Sequence, residues 1–419
     1  MIESKIASVL QVICGNRKYG WKNMETTFLV TKLIRDQRTY IATALYQERK
    51  LLEISLDSQQ EESILGNIYV GRVKDIVKNL NAAFIEIAPG VPCYYGLENL
   101  KNPLYVKKIN SPRMVQGDEV VVQVVREKSK GKPPRVSTNL TFTGKYLVLT
   151  SENTTVGFSK KLDFETKNRL KSTLNFEKMR EFGVIVRTNA AFASIDEILA
   201  EYHVLKQEYL QIKETFLHRT VFSCLRKRMS EYLCSLQNLS QEQLNTIITD
   251  DLVIYEQIRD YLQEFQPENS QKLRLYEDKL ISLNKLYSLD IRLQEALQER
   301  VWLKSGGYLV IQPTEALTVI DVNSGKSIAK KQAQEHYLKI NLEAAEEIAH
   351  QLRLRNLSGI IIIDFIDMKS DEDNDTLMKS LRAYVRKDCV RVQVVDMTKL
   401  HLVELTRKKI KKSLKEQLT

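Results

Sequence analysis

The chain has 419 residues, more than one ordinary core accommodates, so it divides into several domains. Hydrophobic residues at 43% and charged residues at 28% exclude a disordered or collagen-like chain, and apolar runs such as Ile360 to Ile363 fall far short of the roughly 20 residues of a membrane-spanning helix. Lys and Arg number 63 against 53 Asp and Glu, a net charge of +10 gathered in runs at 72–78, 126–135, 159–161 and 407–415, the pattern of sequence-independent contacts to phosphates.

The N-terminal stretch MIESKIASVLQV has an acid at position 3 and little apolar length, so neither a secretory signal nor a transit peptide is expected. Residues 28 to 62 alternate as three β-type stretches, TTFLVTKLI, RTYIATALYQ and LLEISL, and the polar break DSQQEES sets a boundary near residue 62. From Ile64, ILGNIYVGRVKDIVKNLNAAFIEIAPGVPCYYGLENL and DEVVVQVVREKSKGKPPRVS give several strands punctuated by Gly and Pro, as in a small closed barrel. Tyr69, Phe84, Tyr94 and Tyr95 fall along these strands with Arg72, Lys74 and Lys78. Aromatic faces interleaved with cations stack unpaired bases and hold their backbone. Half of these aromatics are expected to serve the core, Phe84 first among them, with Tyr94 the candidate for stacking.

Between Thr143 and Val186 the strands KYLVLT and FGVIVRT flank the helical LDFETKNRLKSTLNFEKMREF. Ser194, followed by Asp196 and Glu197, reads as a helix N-cap, and Ile198, Tyr202, Leu205, Tyr209 and Ile212 keep helical spacing, with the charged remainder read as a solvated face. Residues 235 to 290 are polar enough for partly exposed helices or connecting structure. From 307 to 396 the strands YLVIQP and ALTVIDV, a long helix closed by Gly359, the strand IIIIDFI, a second helix and the strand VRVQVV make a β-α-β-α-β series. Such a series predicts a parallel sheet with its strand C-termini on one edge.

Asp321 ends the apolar strand LTVID, and Asp364 interrupts IIIID at the corresponding place. An unpaired buried carboxylate costs several kcal/mol, and two about 5 Å apart repel, so a shared hard cation such as Mg²⁺ or Mn²⁺ is the natural compensation. Asn323 can add an amide oxygen or orient a water, and Asp367 is a further acid nearby. Capping of the following helices or pairing with Lys or Arg stays open as the alternative. The GKS tripeptide at 325–327 resembles a phosphate loop, but Ile320 stands where a Walker A motif needs Gly. Five scattered cysteines without a C-x-x-C pair, and five scattered histidines, argue against a disulfide framework and a zinc site.

In this order, GNIYVGRVKDIVKNLNAAFIEI, GVIVRT, EALTVIDVNS and NLEAAEEIAHQLRLRNLSGIIIIDFIDM resemble the ribonuclease E/G family of endoribonucleases, from roughly residue 28 to the end. The resemblance implies an α+β multidomain chain. A ribonuclease-H-like domain (1–62 and 233–296) would be split by an OB-fold RNA-binding barrel (63–140) and a 5′-sensor domain with its helical tract (141–232), followed by an α/β deoxyribonuclease-I-like catalytic domain (297–419). It also implies that Asp321 and Asp364 ligate one Mg²⁺ per subunit, with Mn²⁺ able to substitute, and that Asn323 hydrogen-bonds beside it as part of the catalytic set. Arg187 and Thr188 of IVRT, with Gly144 and Val148 of GKYLV, would bind a 5′-monophosphate. Tyr94 would stack a base, joined by Phe84, and Lys132 and Arg391 would contact RNA.

The activity so implied is cleavage of single-stranded, A/U-rich RNA in messenger and ribosomal precursors, stimulated by a 5′-monophosphate and leaving 5′-phosphate and 3′-hydroxyl ends. The chain stops at Thr419, before the family's zinc-binding cysteine segment. Zinc, a zinc-linked dimer and docking through a scaffold tail are therefore not expected, and a homo-oligomer of another kind stays open. No membrane association is expected. A short, Lys- and Ile-rich member resembles plastid-encoded versions, which points to the plastid stroma, with a bacterial cytoplasm as the alternative. Two other classes compete: an RNA-binding or ribosome-maturation protein with a vestigial catalytic site, and a metal phosphohydrolase for small substrates.

Overall fold

The computed structural model describes residues 25–59, 63–99, 101–128, 131–152, 154–174, 182–239, 244–325 and 333–418. The N-terminal dodecapeptide and the Lys326–Ser327 part of the GKS tripeptide lie outside the described residues. The chain forms two compact units, residues 1–61 with 241–419, and residues 62–240.

The first unit contains two sheets. In one, the strands Thr26–Arg35, Arg38–Gln47 and Lys50–Ser58 form an antiparallel meander, the first hairpin turning at Asp36 and Gln37, both at positive φ. Two strands from far along the chain, Thr246–Thr249 and Leu273–Leu275, join in parallel, with Leu29 opposite Ile248 and Ile247 opposite Leu273. The polar tract 235–290 thus contributes two sheet strands besides the helix Leu252–Phe265. Alternating residues Leu29, Leu33, Tyr40, Ala42 and Leu56 pack with Leu283, Leu286, Leu289 and Leu293 into one core.

The second sheet runs in the spatial order Arg300–Trp302, Tyr308–Pro313, Leu317–Asn323, Gly359–Asp364, Leu402–Arg407, Val392–Met397. One face is apolar: Leu309, Ile311, Ile320, Val322, Ile361, Ile363, Val403 and Leu405 are buried against Ile340, Ala344, Ile348, Leu377 and Leu381 of the helices Ala333–Leu354 and Asp371–Val385. The expected all-parallel order is corrected. Within this sheet only Leu317–Asn323 and Gly359–Asp364 are paired in parallel. The strand Leu402–Arg407, which the sequence reading did not assign, inserts between Gly359–Asp364 and Val392–Met397. A short turn through His401, at φ 62°, lets it fold straight back as a hairpin, which needs no crossover. Its last residue, Arg407, is buried and donates to Asp388, Asn356 and the Leu357 carbonyl.

The long helix also grips the first sheet. Glu347 meets Lys50 at 3.4 Å and His350 at 2.8 Å, and His350 Nε2 lies 2.8 Å from the Leu51 carbonyl. Burial raises the Glu347 carboxyl, but the bonds and charge from His350, the Gln351 amide and the Lys50 ammonium outweigh it and bring it down to about 2.

The second unit holds a closed five-stranded barrel. Ile68–Val77 pairs with Ala82–Ala88, then Val91–Gly96, Arg135–Ser137 and Glu119–Arg126 follow, and the last pairs back onto Ile68–Val77. Ala83, Ile85, Cys93, Tyr95, Val120, Val122 and Val136 fill it. Beside it, a four-stranded sheet of Thr141–Thr143, Leu147–Thr150, Gly183–Val186 and Val156–Phe158 packs on the helices Phe164–Thr173 and Ile195–Thr215. Ser194 caps the longer helix in a reciprocal box with Glu197.

A carboxylate held below its unfolded value of roughly 4.3 stabilises the fold fully above that pH, and the contribution disappears as pH falls towards the folded value. Acid titration of stability is therefore expected to show a loss between about pH 4.5 and pH 2 that Glu347→Gln removes. Identical acid-unfolding curves for the two proteins would show that Glu347 contributes nothing to the fold in this window.

Candidate active site

Asp321 and Asp364 are direct partners in the parallel register, so their Cα atoms sit about one strand spacing, ~4.8 Å, apart on the same face. Alternation puts that face opposite the helix-covered core. Ile320 and Ile363, the neighbours in sequence, are fully buried on the other side, whereas Asp321 is half-buried and Asp364 exposed. Asn323, two residues on, shares the face and donates from Nδ2 to Asp321 Oδ2 at 2.7 Å. Just beyond the strand, Gly325, at φ +78°, packs so closely on the Gly306 carbonyl that a Cβ would clash with it.

Burial, then the charges of Asp321 and Asp367, push the Asp364 carboxyl up. Among the described residues no Lys or Arg forms an ion pair with Asp321 or Asp364. The helix after Asp364 is capped by Ser370, so capping does not explain that acid. No cluster of three or more His, Cys, Asp or Glu with metal-ligand geometry occurs among the described residues. The site therefore offers two carboxylates and an amide.

Arg391 is not near them. It precedes Val392, which stands opposite Arg407, itself opposite Gly359, at the far end of the strand that finishes in Asp364. Five residues of strand separate those ends, roughly 16 Å.

In the second unit, Gly144, Arg187 and Thr188, which the resemblance grouped, meet around a loop held by Glu201, which sequence reasoning did not connect to them. Glu201 of the helix Ile195–Thr215 accepts the backbone N–H groups of Lys145, Tyr146 and Leu147 at 2.6, 2.8 and 2.7 Å. Gly144 is a glycine for a steric reason, since a Cβ there would stand 2.3 Å from Glu201 Cδ. Arg187 donates through Nη1 to the Gly144 carbonyl and through Nη2 to Asn238 Oδ1 at 2.6 Å. The Thr188 hydroxyl meets the Ser159 hydroxyl at 2.9 Å. Val148 lies opposite Ile185, sharing a sheet face with Arg187, two residues beyond. Glu201 is thus no part of a solvated helix face. Burial raises its carboxyl, against the pull of the three amides and Arg187. Neither Glu201, Ser159 nor Asn238 carries a local signal; each is defined by a partner 29 to 56 residues away.

On the barrel, Tyr94 and Phe84 are cross-strand partners, with ring centroids 6.3 Å apart in an edge-on pair, and Arg135 stands over Tyr94 at 5.6 Å. The expectation that Phe84 serves the core is corrected. Its neighbours Ala83 and Ile85 point inward, so alternation turns Phe84 to the half-buried outer side, and Tyr95 fills the core instead. Arg72 and Lys74 pair with Glu119 and Glu86, while Lys132 is exposed near Tyr94's strand partner Arg135. Arg135 sits in the basic run 126–135, the one signal that could have found it.

A family model described as the ribonuclease E/G family matches residues 141–410. Ribonuclease G of Haemophilus influenzae is 34% identical over 387 residues, covering 90% of this chain and 78% of that protein. Ribonuclease G of Escherichia coli K12 is 32% identical, covering 88% and 77%. Ribonuclease E of Nostoc sp. is 33% identical over 87% of this chain and 54% of its own length.

Removing the Glu201 carboxylate leaves three backbone donors without their acceptor. Glu201→Ala is expected to lower the unfolding free energy by about 1–3 kcal/mol in urea titration, with Glu201→Gln, which keeps one acceptor oxygen, losing less. Equal stability of the alanine variant would mean that water replaces the carboxylate at no cost.

Proposed function

The chain belongs to the ribonuclease E/G family and is an endoribonuclease, and from that premise we propose that it cleaves single-stranded, A/U-rich RNA with Mg²⁺ held by Asp321 and Asp364, leaving 5′-phosphate and 3′-hydroxyl ends. The observation that carries the reading is the register pairing of the two acids on the open face of the sheet. Two adjacent carboxylates without a Lys or Arg partner among the described residues suit a hard divalent ion, and a magnesium-type ion completes its shell with waters and substrate phosphate. Such an ion supplies positive charge at the scissile phosphate and an activated water.

The chain's own residues do the rest. Asp321 and Asp364 hold the ion from adjacent strands, whose hydrogen-bonded ladder fixes the separation of the carboxylates. The Asn323 amide donates to one oxygen of Asp321, which restrains that carboxylate and leaves its other oxygen without this bond. Open sheet face on either side admits an extended strand of RNA, and segments rich in A and U are the least costly to present unpaired.

In the second unit, the guanidinium of Arg187 and the hydroxyl of Thr188 make a fork and a donor suited to a terminal phosphate dianion, with Gly144 and Asn238 fixing the fork's plane. Val148 gives the adjoining nucleotide an apolar contact. Glu201 holds the backbone of the loop rather than touching the phosphate. Tyr94, with Phe84 behind it and Arg135 over it, offers a stacking face, and Lys132 a backbone contact.

The test is cleavage of a short A/U-rich RNA, labelled at its 3′ end and carrying a 5′-monophosphate or a 5′-hydroxyl, in Mg²⁺ or EDTA. Internal cuts that need Mg²⁺ are expected, and Asp321→Ala or Asp364→Ala should reduce them by about 100-fold or more. Cleavage by either variant at the wild-type rate would sink the metal assignment, and binding without cuts would favour an RNA-binding role. For the phosphate pocket, Arg187→Ala is expected to slow cleavage of the monophosphorylated RNA about 10-fold and leave the 5′-hydroxyl RNA nearly unchanged. Equal loss on both substrates would make Arg187 structural.

A further inference from the structure

The face that bears the two acids continues across the neighbouring strands, and its occupants there are not inert. Register takes Asn323 to Tyr308 on the adjacent strand and Tyr308 to Trp302 on the edge strand. The row through Asp321 runs to Val310 and then Arg300. Tyr308, Trp302 and Arg300 therefore point to the same side as the carboxylates, Tyr308 one strand spacing from the strand of Asp321 and Trp302 and Arg300 two, about 5 and 10 Å, with Asp364 one spacing further away.

These three side chains form one assembly. The Trp302 and Tyr308 rings are 5.2 Å apart and tilted by 57°, and the Arg300 guanidinium stands over both, 4.4 Å from the tyrosine centroid and 5.7 Å from the tryptophan centroid. A large aromatic on an edge strand would ordinarily be covered, yet Trp302 is 65% exposed. Arg300 and Trp302, though not Tyr308, border a cavity of about 840 Å³ whose lining takes in Arg49, Lys50 and Arg292 as well as Glu48, Glu295 and Glu347. Neither Arg49 nor Arg300 has a carboxylate within ion-pair distance among the described residues.

We propose that Trp302, Tyr308 and Arg300 are a base-stacking subsite for single-stranded RNA, holding a nucleotide that flanks the bond presented to Asp321 and Asp364. An exposed indole face accepts any base, and the guanidiniums of Arg300 and Arg49 meet the phosphates on either side of it. The subsite deepens the endonuclease reading and rests on it. It lies entirely within the first unit and is independent of Tyr94 and of the terminal-phosphate pocket.

Trp302 reports on itself. The chain has two tryptophans, so Trp21→Phe leaves Trp302 as the single indole. In that background, a single-stranded RNA decamer is expected to quench Trp302 emission along the same isotherm that fluorescence anisotropy of the labelled RNA records. In cleavage assays Trp302→Ala should raise KM about 5- to 100-fold with a smaller change in kcat, while Trp302→Phe, which keeps a stacking plane, should retain most of the affinity. RNA binding by anisotropy without quenching, together with an unchanged KM for Trp302→Ala, would overturn the subsite and leave the endonuclease reading standing. An emission change that follows protein concentration in the absence of RNA, with an unchanged KM for Trp302→Ala, would also overturn it, assigning the indole to self-association. Absence of any RNA cleavage by the wild-type protein would overturn both readings together.

Discussion

The parallel pairing of Leu317–Asn323 with Gly359–Asp364 is the constraint on which the site depends. In a strand the side chains alternate, so a register that buries Ile320 and Ile363 must turn Asp321 and Asp364 outward, side by side. A slip of one residue in either strand would put its acid under the helices and its isoleucine on the open face. The apolar face that two helices cover is thus what prevents the acids from moving apart, and the mutual repulsion of the carboxylates is held in place by the hydrophobic burial of their neighbours. The same alternation, carried one and two strands outward, sets an aromatic and cationic surface beside the acids.

The second unit fixes its chemistry differently. Gly144, Arg187 and Thr188 lie just beyond strand ends, where no sheet ladder alone would hold them. A half-buried carboxylate, Glu201, replaces the ladder by accepting three successive backbone amides, and Gly144 leaves the space for it. Arg187 then ties the same turn to Asn238 through the opposite side of its guanidinium. Each group is oriented by another polar group, which is why few of the contributors look distinctive one at a time.

That difference explains what could be read from the chain alone. Asp321 and Asp364 are legible because an acid within or at the end of an apolar strand is costly and two such strands in a β-α-β unit are neighbours. The Ser194 cap is legible because its partner lies three residues away. The strand Leu402–Arg407 is hidden by the basic run that follows it, and the short link between Tyr308–Pro313 and Leu317–Asn323 makes those two a hairpin, so antiparallel neighbours flank the one parallel pair. Phe84 looks like a core residue within the apolar NAAFIEI, although alternation with Ala83 and Ile85 decides against it. Arg391 precedes a strand of the same sheet as Asp321 and Asp364, but the direction of that strand carries it to the opposite end. Glu201, at a helix position that looks solvated, could be recognised only from the loop it holds.

The meander sheet of the first unit bears on how the chain reaches this state. Thr26–Arg35 finds its parallel neighbour in Thr246–Thr249, and the Thr26 amide is completed by Asn245. Residues 62–240, a compact unit in their own right, lie between these partners in sequence. As the chain leaves the ribosome, the first three strands can form hairpins, but one edge of the sheet must wait until most of the chain has been made. Closing so long a loop as an open coil costs about 4–5 kcal/mol on the logarithmic scale of chain closure. Residues 62–240 are complete before that edge strand is made, and until then the edge stays unpaired and prone to pairing with another chain.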